Sequence, residues 1–420
     1  MLRTKRSSSS LYRSTQKRSP ALWMSKSRSL PFSVVEAPPI VPCSVGLPPE
    51  LLQIIFAYAT SLPYGYEQSL WNISYTAFQD SGWSRQTSTR DRERFQVWQI
   101  KSTLSLVCKS WYALALEFLL EELRVGPYLP HPEVLATHGH WIHRLEILPS
   151  APSDVRMIDI LRMCPHIQII SKPSGDVVDG QFWDGLQDLA PGSLPYLRRL
   201  DWGTDSTTQF GSRQAFAALV AAAPNLYHLN SSLCVHPELC PPSSSLLNLR
   251  VLRFPPQSEV LNSIAMPITL PLAEWTSHVV VSPGFVGSMS RLVNGTTFPH
   301  VYCVELQDGT DLVAGPLAQL QRLFPRCTEL AFSPYHVGRV NLGGQKFSFV
   351  KRLRLYANPN GLLVDLTPWI KYNYDELMDG FPALEEVVMH GDWRFVLSST
   401  VMDSLADDLG KRSCRLVAET

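Results

Sequence analysis

From His138 onward the chain repeats one short phrase: an apolar residue, two variable ones, a second apolar residue, one variable, and often a third apolar residue. It reads Ile142/Leu145/Ile147, Ile167/Ile170, Leu197/Leu200/Trp202, Leu226/Leu229, Leu249/Leu252/Phe254, Val301/Val304/Leu306, Cys327/Leu330/Phe332, Val350/Leu353/Leu355 and Leu384/Val387/Met389. Successive phrases start 23 to 34 residues apart, apart from a gap of 52 between Leu249 and Val301 that leaves room for a hidden unit near Leu272 and Trp275. Such a period constrains the fold strongly, because one unit cannot bury its apolar side alone and must stack on neighbours.

The phrase has its own punctuation. Pro165, Pro195, Pro224, Pro299, Pro325 and Pro382 each stand two residues before the first apolar position, and short helical patterns precede several of them, at 157–163, 215–222, 317–324 and 374–378. Proline cannot continue a helix and biases its predecessor toward extended geometry, so the unit is helix, proline, short strand. A unit of this length and order resembles a leucine-rich repeat. The resemblance implies an α/β fold, an irregular solenoid or horseshoe of about nine or ten units over 126–395, with apolar positions inward and variable positions outward on a concave sheet. The Asn or Cys usual after the third apolar position is mostly missing, which predicts uneven curvature and irregular loops at 255–271 and 333–345. A generic α/β domain with parallel strands is the competing reading.

Two apolar stretches precede the repeats. Leu47-Pro48-Pro49-Glu50-Leu51-Leu52-Gln53-Ile54-Ile55-Phe56-Ala57-Tyr58 has prolines where a helix can begin without losing a hydrogen bond and an acid in the first turn. Leu104, Val107, Cys108, Trp111, Leu114, Ala115 and Phe118 then recur at spacings of three and four, which predicts one helix running to about Leu123. Between them lies an insert, 61–102, with Trp71, Tyr75, Phe78, Trp83, Phe95 and Trp98 and a helical end near 90–100.

Leu47, Pro48, Glu50, Leu51, Leu52, Ile55 and Phe56, followed by Leu104, Val107, Cys108, Lys109, Trp111 and Tyr112, resemble the opening and close of an F-box, split here by an insert longer than the family's usual linker. An ordinary pair of amphipathic helices is the alternative. The resemblance implies that Leu47, Pro48, Leu51, Leu52, Ile55, Phe56, Val107 and Trp111 bind the Skp-type adaptor that links such proteins to cullin and RING subunits, with Phe56 and Trp111 as anchors. It also implies a non-catalytic substrate-recognition subunit of an SCF-type ubiquitin ligase. A leucine-rich-repeat scaffold without a ligase is the other reading. Among the variable repeat positions, Arg250, Arg253, Arg352, Arg354 and Tyr356 are the expected contacts to a target protein, since Arg and Tyr are frequent hot-spot residues.

The domain plan is therefore a basic tail and Pro-rich linker over 1–46, an F-box-like helical domain over 47–125, repeats over 126–395 and a C-terminal cap over 396–420. Formal net charge is zero, with 45% hydrophobic and 18% charged residues. The basic excess belongs to the tail, so the folded body carries no nucleic-acid footprint. The acid-free, Arg/Ser-rich start reads as a plain tail, a nuclear-import signal or a mitochondrial transit segment. The eight scattered cysteines fit reduced thiols in a cytoplasmic or nuclear protein, and no apolar run is long enough to span a bilayer.

Enzyme motifs are missing: there is no nucleophile elbow, phosphate-binding glycine loop or zinc signature. No metal or cofactor is expected. His138, His140 and His143 read as loop or strand-edge histidines, Cys234 and Cys240 flank His236 at a poor zinc spacing, and Gly343-Gly344 reads as a turn.

Overall fold

The computed structural model describes residues 47–60, 87–126, 129–148, 155–172, 180–203, 210–231, 246–254, 276–281, 286, 297–306, 311–334, 337–356, 367–390, 393 and 400–419. Most of the 61–102 insert, the 255–271 loop and the Cys234–Cys240 pair lie outside them.

Three helices open the described chain: α1 (Pro49–Thr60), α2 (Thr87–Val107) and α3 (Lys109–Leu120). The single helix expected from Leu104 to Leu123 is two. Cys108 is extended, at φ −161° and ψ 170°, and its sulfur accepts from the backbone N–H of Trp111 at 3.5 Å, which caps α3. Leu104 and Val107 thus end a 21-residue helix that begins inside the insert, while Trp111 starts a new one. Periodicity alone cannot see this break, because the apolar spacing runs straight through it.

After Leu120 the chain enters a sheet. Twelve strands, all parallel, lie side by side in chain order. They are β1 (Glu122–Val125), β2 (Arg144–Ile147), β3 (Ile169–Lys172), β4 (Arg199–Trp202), β5 (His228–Ser231), β6 (Val251–Arg253), β7 (His278–Val281) and β8 (Cys303–Leu306), followed by β10 (Glu329–Phe332), β12 (Arg352–Tyr356), β13 (Glu386–His390) and β14 (Arg415–Glu419). β9 (Leu312–Val313) and β11 (Val340–Asn341) pair separately. The hidden unit is β7, seated between β6 and β8 three residues after Trp275. The sheet also passes both ends of the expected repeat region: β1 occupies residues assigned to the helical domain, and the supposed cap contributes a helix (400–411) and β14.

Register aligns one aliphatic residue per strand, from Leu123 through Leu145, Ile170, Leu200, Leu229, Leu252, Val279, Val304, Leu330, Leu353 and Val387 to Leu416. This row is the spine of the main core, and among the described residues the helices α4 (Pro132–His138), α5 (Met157–Met163), α6 (Phe210–Ala222), α7 (Ala314–Leu323), α8 (Thr367–Gly380) and α9 (Thr400–Lys411) fall in the connections β1–β2, β2–β3, β4–β5, β8–β10, β12–β13 and β13–β14. Lys172 is a polar intruder on this inner face, fully buried with its ammonium 5.6 Å from the centre of the Trp202 ring.

The prolines do more than stop helices. Backbone N–H groups of Leu197, Leu226, Val301, Cys327 and Leu384 donate to the carbonyls three residues earlier, closing turns whose second residue is Pro195, Pro224, Pro299, Pro325 or Pro382. Proline's fixed φ suits that position. One residue on, the carbonyls of Glu121, His143, Gln168, Arg198, Tyr227, Arg250, Ser277, Tyr302, Thr328 and Lys351 each accept two N–H groups from the next unit, at 2.7 to 3.1 Å. Side chains reinforce this edge where the usual Asn ladder is absent: Asn225 Nδ2 donates to Pro195 O (2.9 Å), and Asn248 Nδ2 to Pro224 O (3.1 Å) and Asn225 Oδ1 (3.2 Å).

Candidate interaction surfaces

α1 has two apolar faces. Phe56 is fully buried, with Trp111 5.0 Å and Phe118 6.4 Å away in edge-on geometry, and Leu52 and Thr60 lie on the same side at i−4 and i+4. The other stripe, Leu51, Ile54, Ile55 and Tyr58, follows the i, i+3, i+4, i+7 spacing of a core-facing helix, yet these residues are 46%, 64%, 46% and 86% exposed. Leu47, Leu106, Val107 and Tyr112 are exposed as well.

Of the expected adaptor contacts, Leu47, Pro48, Leu51, Ile55 and Val107 are exposed, while Leu52 and Trp111 are half-buried. Phe56 is corrected: it holds α1 to α3 and has no surface to offer a partner. Ile54, Tyr58, Leu106 and Tyr112 share this exposure, and the outward stripe of α1 is readable from its spacing once Phe56 takes the inward side.

On the sheet, the three variable positions of each unit part company. The first, as in Arg198, Tyr227, Arg250, Tyr302, Lys351 and Glu385, is half-buried or exposed. The second and third, on the outer face of the strands, are largely buried: Glu146, Arg199, His228, Arg253, His278, Glu305 and Glu329 retain at most 7% exposure. Small apolar residues lie between them, with Val251 and Val280 packed with Tyr227 in one cluster and Cys303, Ala331 and Tyr356 in another.

Charges buried this way need partners. Arg124 meets Glu146 at 3.1 Å, Arg199 meets Asp201 at 2.7 Å, and Arg354 meets Glu329 at 2.8 Å. Arg352 bridges Glu329 and Glu386, and Arg415 adds a second cation to Glu386 at 2.9 Å. His278 Nε2 lies 3.3 Å from Glu305 Oε2, at ion-pair range, and the Tyr356 hydroxyl donates to the same oxygen at 3.4 Å. Burial pushes the Glu305 carboxyl above its ordinary range, against the pull of His278 and Arg253. Burial also holds the His228 imidazole well below its ordinary value, helped by the nearby cations Arg199 and Arg253 and by His278.

The expected target contacts divide accordingly. Arg253 and Tyr356 are corrected, being 4% and 0% exposed; Arg354 is tied to Glu329, Arg352 to two acids, and only Arg250 lies in the accessible row. Sequence alternation shows which face a residue takes; it does not show how closely parallel strands, about 4.8 Å apart, let neighbours cover one another.

Among the described residues, the remaining candidates do not converge. The His138 ring stacks on Trp141 at 4.7 Å, the His140 ring is tilted against it, and His143 stands one residue before β2. Gly343 and Gly344 both have positive φ, 59° and 72°, and form the centre of a tight turn closed by Gln345 N–H to Leu342 O. A wholly apolar cavity of about 40 Å³ among Leu353, Met378, Met389, Met402 and Leu409 holds no polar group for orienting a ligand.

No family model and no curated protein matches the sequence. Among solved structures, the crystal structure of the Rad7 and Elc1 complex in yeast matches with a TM-score of 0.29 and 11% identity, covering 82% of this chain and 88% of that chain.

Proposed function

We propose that this chain is a leucine-rich-repeat substrate receptor of an SCF-type ubiquitin ligase, docking a Skp-type adaptor through α1 to α3 and a target protein through its repeats. The outward stripe of α1 carries the reading. Leu51, Ile54 and Ile55 stand in water at the spacing of a buried helix face, within the segment whose residues resemble an F-box opening. Full burial of each such side chain is worth roughly 1.5–3 kcal/mol, enough for a few to dominate a docking interface. In this reading the chain makes and breaks no bond; it raises the effective concentration of a target beside a ubiquitin-conjugating enzyme. Cytoplasm or nucleus is the setting such a role requires.

Co-expression with a Skp-type adaptor tests the docking half. The parent chain is expected to co-purify with it, and Leu51→Asp with Ile55→Asp to abolish the complex while circular dichroism and thermal midpoint stay unchanged, since both residues are exposed. Trp111→Ala is a poorer probe because Trp111 packs on Phe56. No complex with the folded parent would favour the alternative, a leucine-rich-repeat scaffold outside any ligase.

A further inference from the structure

The two edge strands of the sheet, β1 and β14, are finished differently. In β1, Leu123 and Val125 are 4% and 0% exposed. In β14, Leu416 and Val417 are half-buried and Ala418 is exposed, although their register partners on β13, Val387, Val388 and Met389, keep at most 6%. Alternate residues of a parallel strand turn their N–H and C=O groups to opposite sides. Arg415 N–H donates to Glu385 O at 2.9 Å, so Arg415 and Val417 face β13. The carbonyls of Cys414, Leu416 and Ala418 and the N–H groups of Leu416 and Ala418 then face outward, and among the described residues none of them has a backbone partner. Side chains mark the same open side. Glu329, Arg352, Glu386 and Arg415 form one register row of alternating charge across β10, β12, β13 and β14. Arg352 bridges an acid on each side, whereas Arg415 meets Glu386 at 2.9 Å on one side and its side chain is 76% exposed. On the core face, Leu416 joins Met402, Leu405 and Leu409 of α9 in lining the apolar cavity.

We infer that β14 is the docking edge for an extended segment of a partner protein, added in parallel as a further strand with the pattern acid, apolar, any residue, apolar. The acid falls opposite Arg415 and extends the alternating row; the two apolar residues fall beside Leu416 and Ala418 on the core side. Backbone bonds to the outward groups supply affinity, and the side-chain register supplies specificity. β1 shows the pattern at work inside the chain: Glu122-Leu123-Arg124-Val125 sets its acid opposite Arg144 and its apolar residues opposite Leu145 and Ile147. Edge-to-edge pairing of two copies about a two-fold axis runs antiparallel and gives up the row opposite Arg415, which favours a different protein as the occupant. The inference goes beyond the ligase reading and is independent of adaptor docking.

Fluorescence anisotropy on the full chain tests it, with a labelled peptide carrying Glu-Leu-Thr-Val at its centre as probe. The peptide is expected to bind at concentrations up to about 1 mM. Methylation of its Thr nitrogen, which removes the N–H aimed at Leu416 O, is expected to weaken binding at least about tenfold. The reversed order Val-Thr-Leu-Glu is expected to bind at least about threefold more weakly. On the protein side, Ala418→Pro deletes an outward N–H and leaves the pairing of Val417 with β13 in place. Binding is expected to fall at least about tenfold in that variant, with the thermal midpoint unchanged. Arg415→Glu is expected to reverse the preference between the Glu-Leu-Thr-Val peptide and its Lys-Leu-Thr-Val counterpart. No binding, equal binding of the methylated or reversed peptide, or an unaltered charge preference in folded Arg415→Glu would each overturn the assignment. So would a mass of two copies in solution that Ala418→Pro returns to one, which would give the edge to a second copy of this chain.

Discussion

In α1 the apolar side chains of Leu51, Ile54 and Ile55 face water, whereas on the outer face of the sheet the carboxyl groups of Glu146, Glu305 and Glu329 are almost withdrawn from it. Both arrangements run against the usual distribution, and they differ in how the cost is met. The sheet meets it internally: neighbouring strands bring a cation or a hydroxyl to each acid. Among the described residues the helix has no such internal answer, because Phe56 already fills the space against α3 and the second stripe points away. The sheet thus balances its own buried charge, while among the described residues the helix leaves a core-like stripe exposed.

The largest expected effect breaks the helical side of this contrast. Phe56→Ala removes the ring between Trp111 and Phe118 and is expected to cost about 4 kcal/mol, read by chemical denaturation of the helical unit. Ile54→Ala, one turn-face away, is expected to change stability by less than about 0.5 kcal/mol; equal losses would mean that both stripes are core.

On the sheet side, Glu329→Ala leaves Arg354 without the carboxylate 2.8 Å away and is expected to cost about 3 kcal/mol. The exposed pair of Lys351 and Glu385, at 2.9 Å, gives the control: Lys351→Ala is expected to cost at most about 0.5 kcal/mol. Similar costs for the two would remove the distinction between the buried rows and the accessible one.

The mildest test changes only pH. His228 is buried with its pKa below the ordinary 6.5, next to Arg199, Arg253 and His278, so below that pH the unfolded chain takes up a proton that the folded one declines. Stability is therefore full above about 6.5 and falls as pH drops toward the folded value. Glu305 works in the opposite sense in its own window: its raised pKa lets the folded state hold a proton more readily above the ordinary 4.5, so its contribution declines as pH rises through that window. Denaturation midpoints of His228→Gln are expected to fall less than those of the parent between about pH 7 and pH 6; parallel curves would show that His228 does not govern this limb.

Much of the sheet was legible because its signal is periodic. The phrase found β2 to β6, β8, β10, β12 and β13, and the doubled gap located β7 within a few residues. β1 and β14 were hidden for a different reason: Leu123 continued the apolar spacing of α3, and Leu416 stands without the helix–proline signature that marks other units. The Cys108 break was invisible because an extended residue can keep apolar spacing intact. At the candidate surfaces, the resemblance picked out a segment of α1 whose outward residues are exposed but placed Phe56 outward with them, since a helix apolar on both faces has two self-consistent readings. Burial of Arg253 and Tyr356 depends on packing across several strands, which no local pattern encodes.

The carbonyls that accept two N–H groups from the next unit bear on how this chain can vary. Each rung is made of backbone alone, one residue before its strand, so it is indifferent to side-chain identity and to how much chain intervenes before the next rung. Spacing between units can then stretch from 23 to 34 residues without shifting the strand alignment. The architecture works as a rail with fixed ties and elastic slack between them, on which lengthened excursions and altered edge residues accumulate while the track itself stays in register.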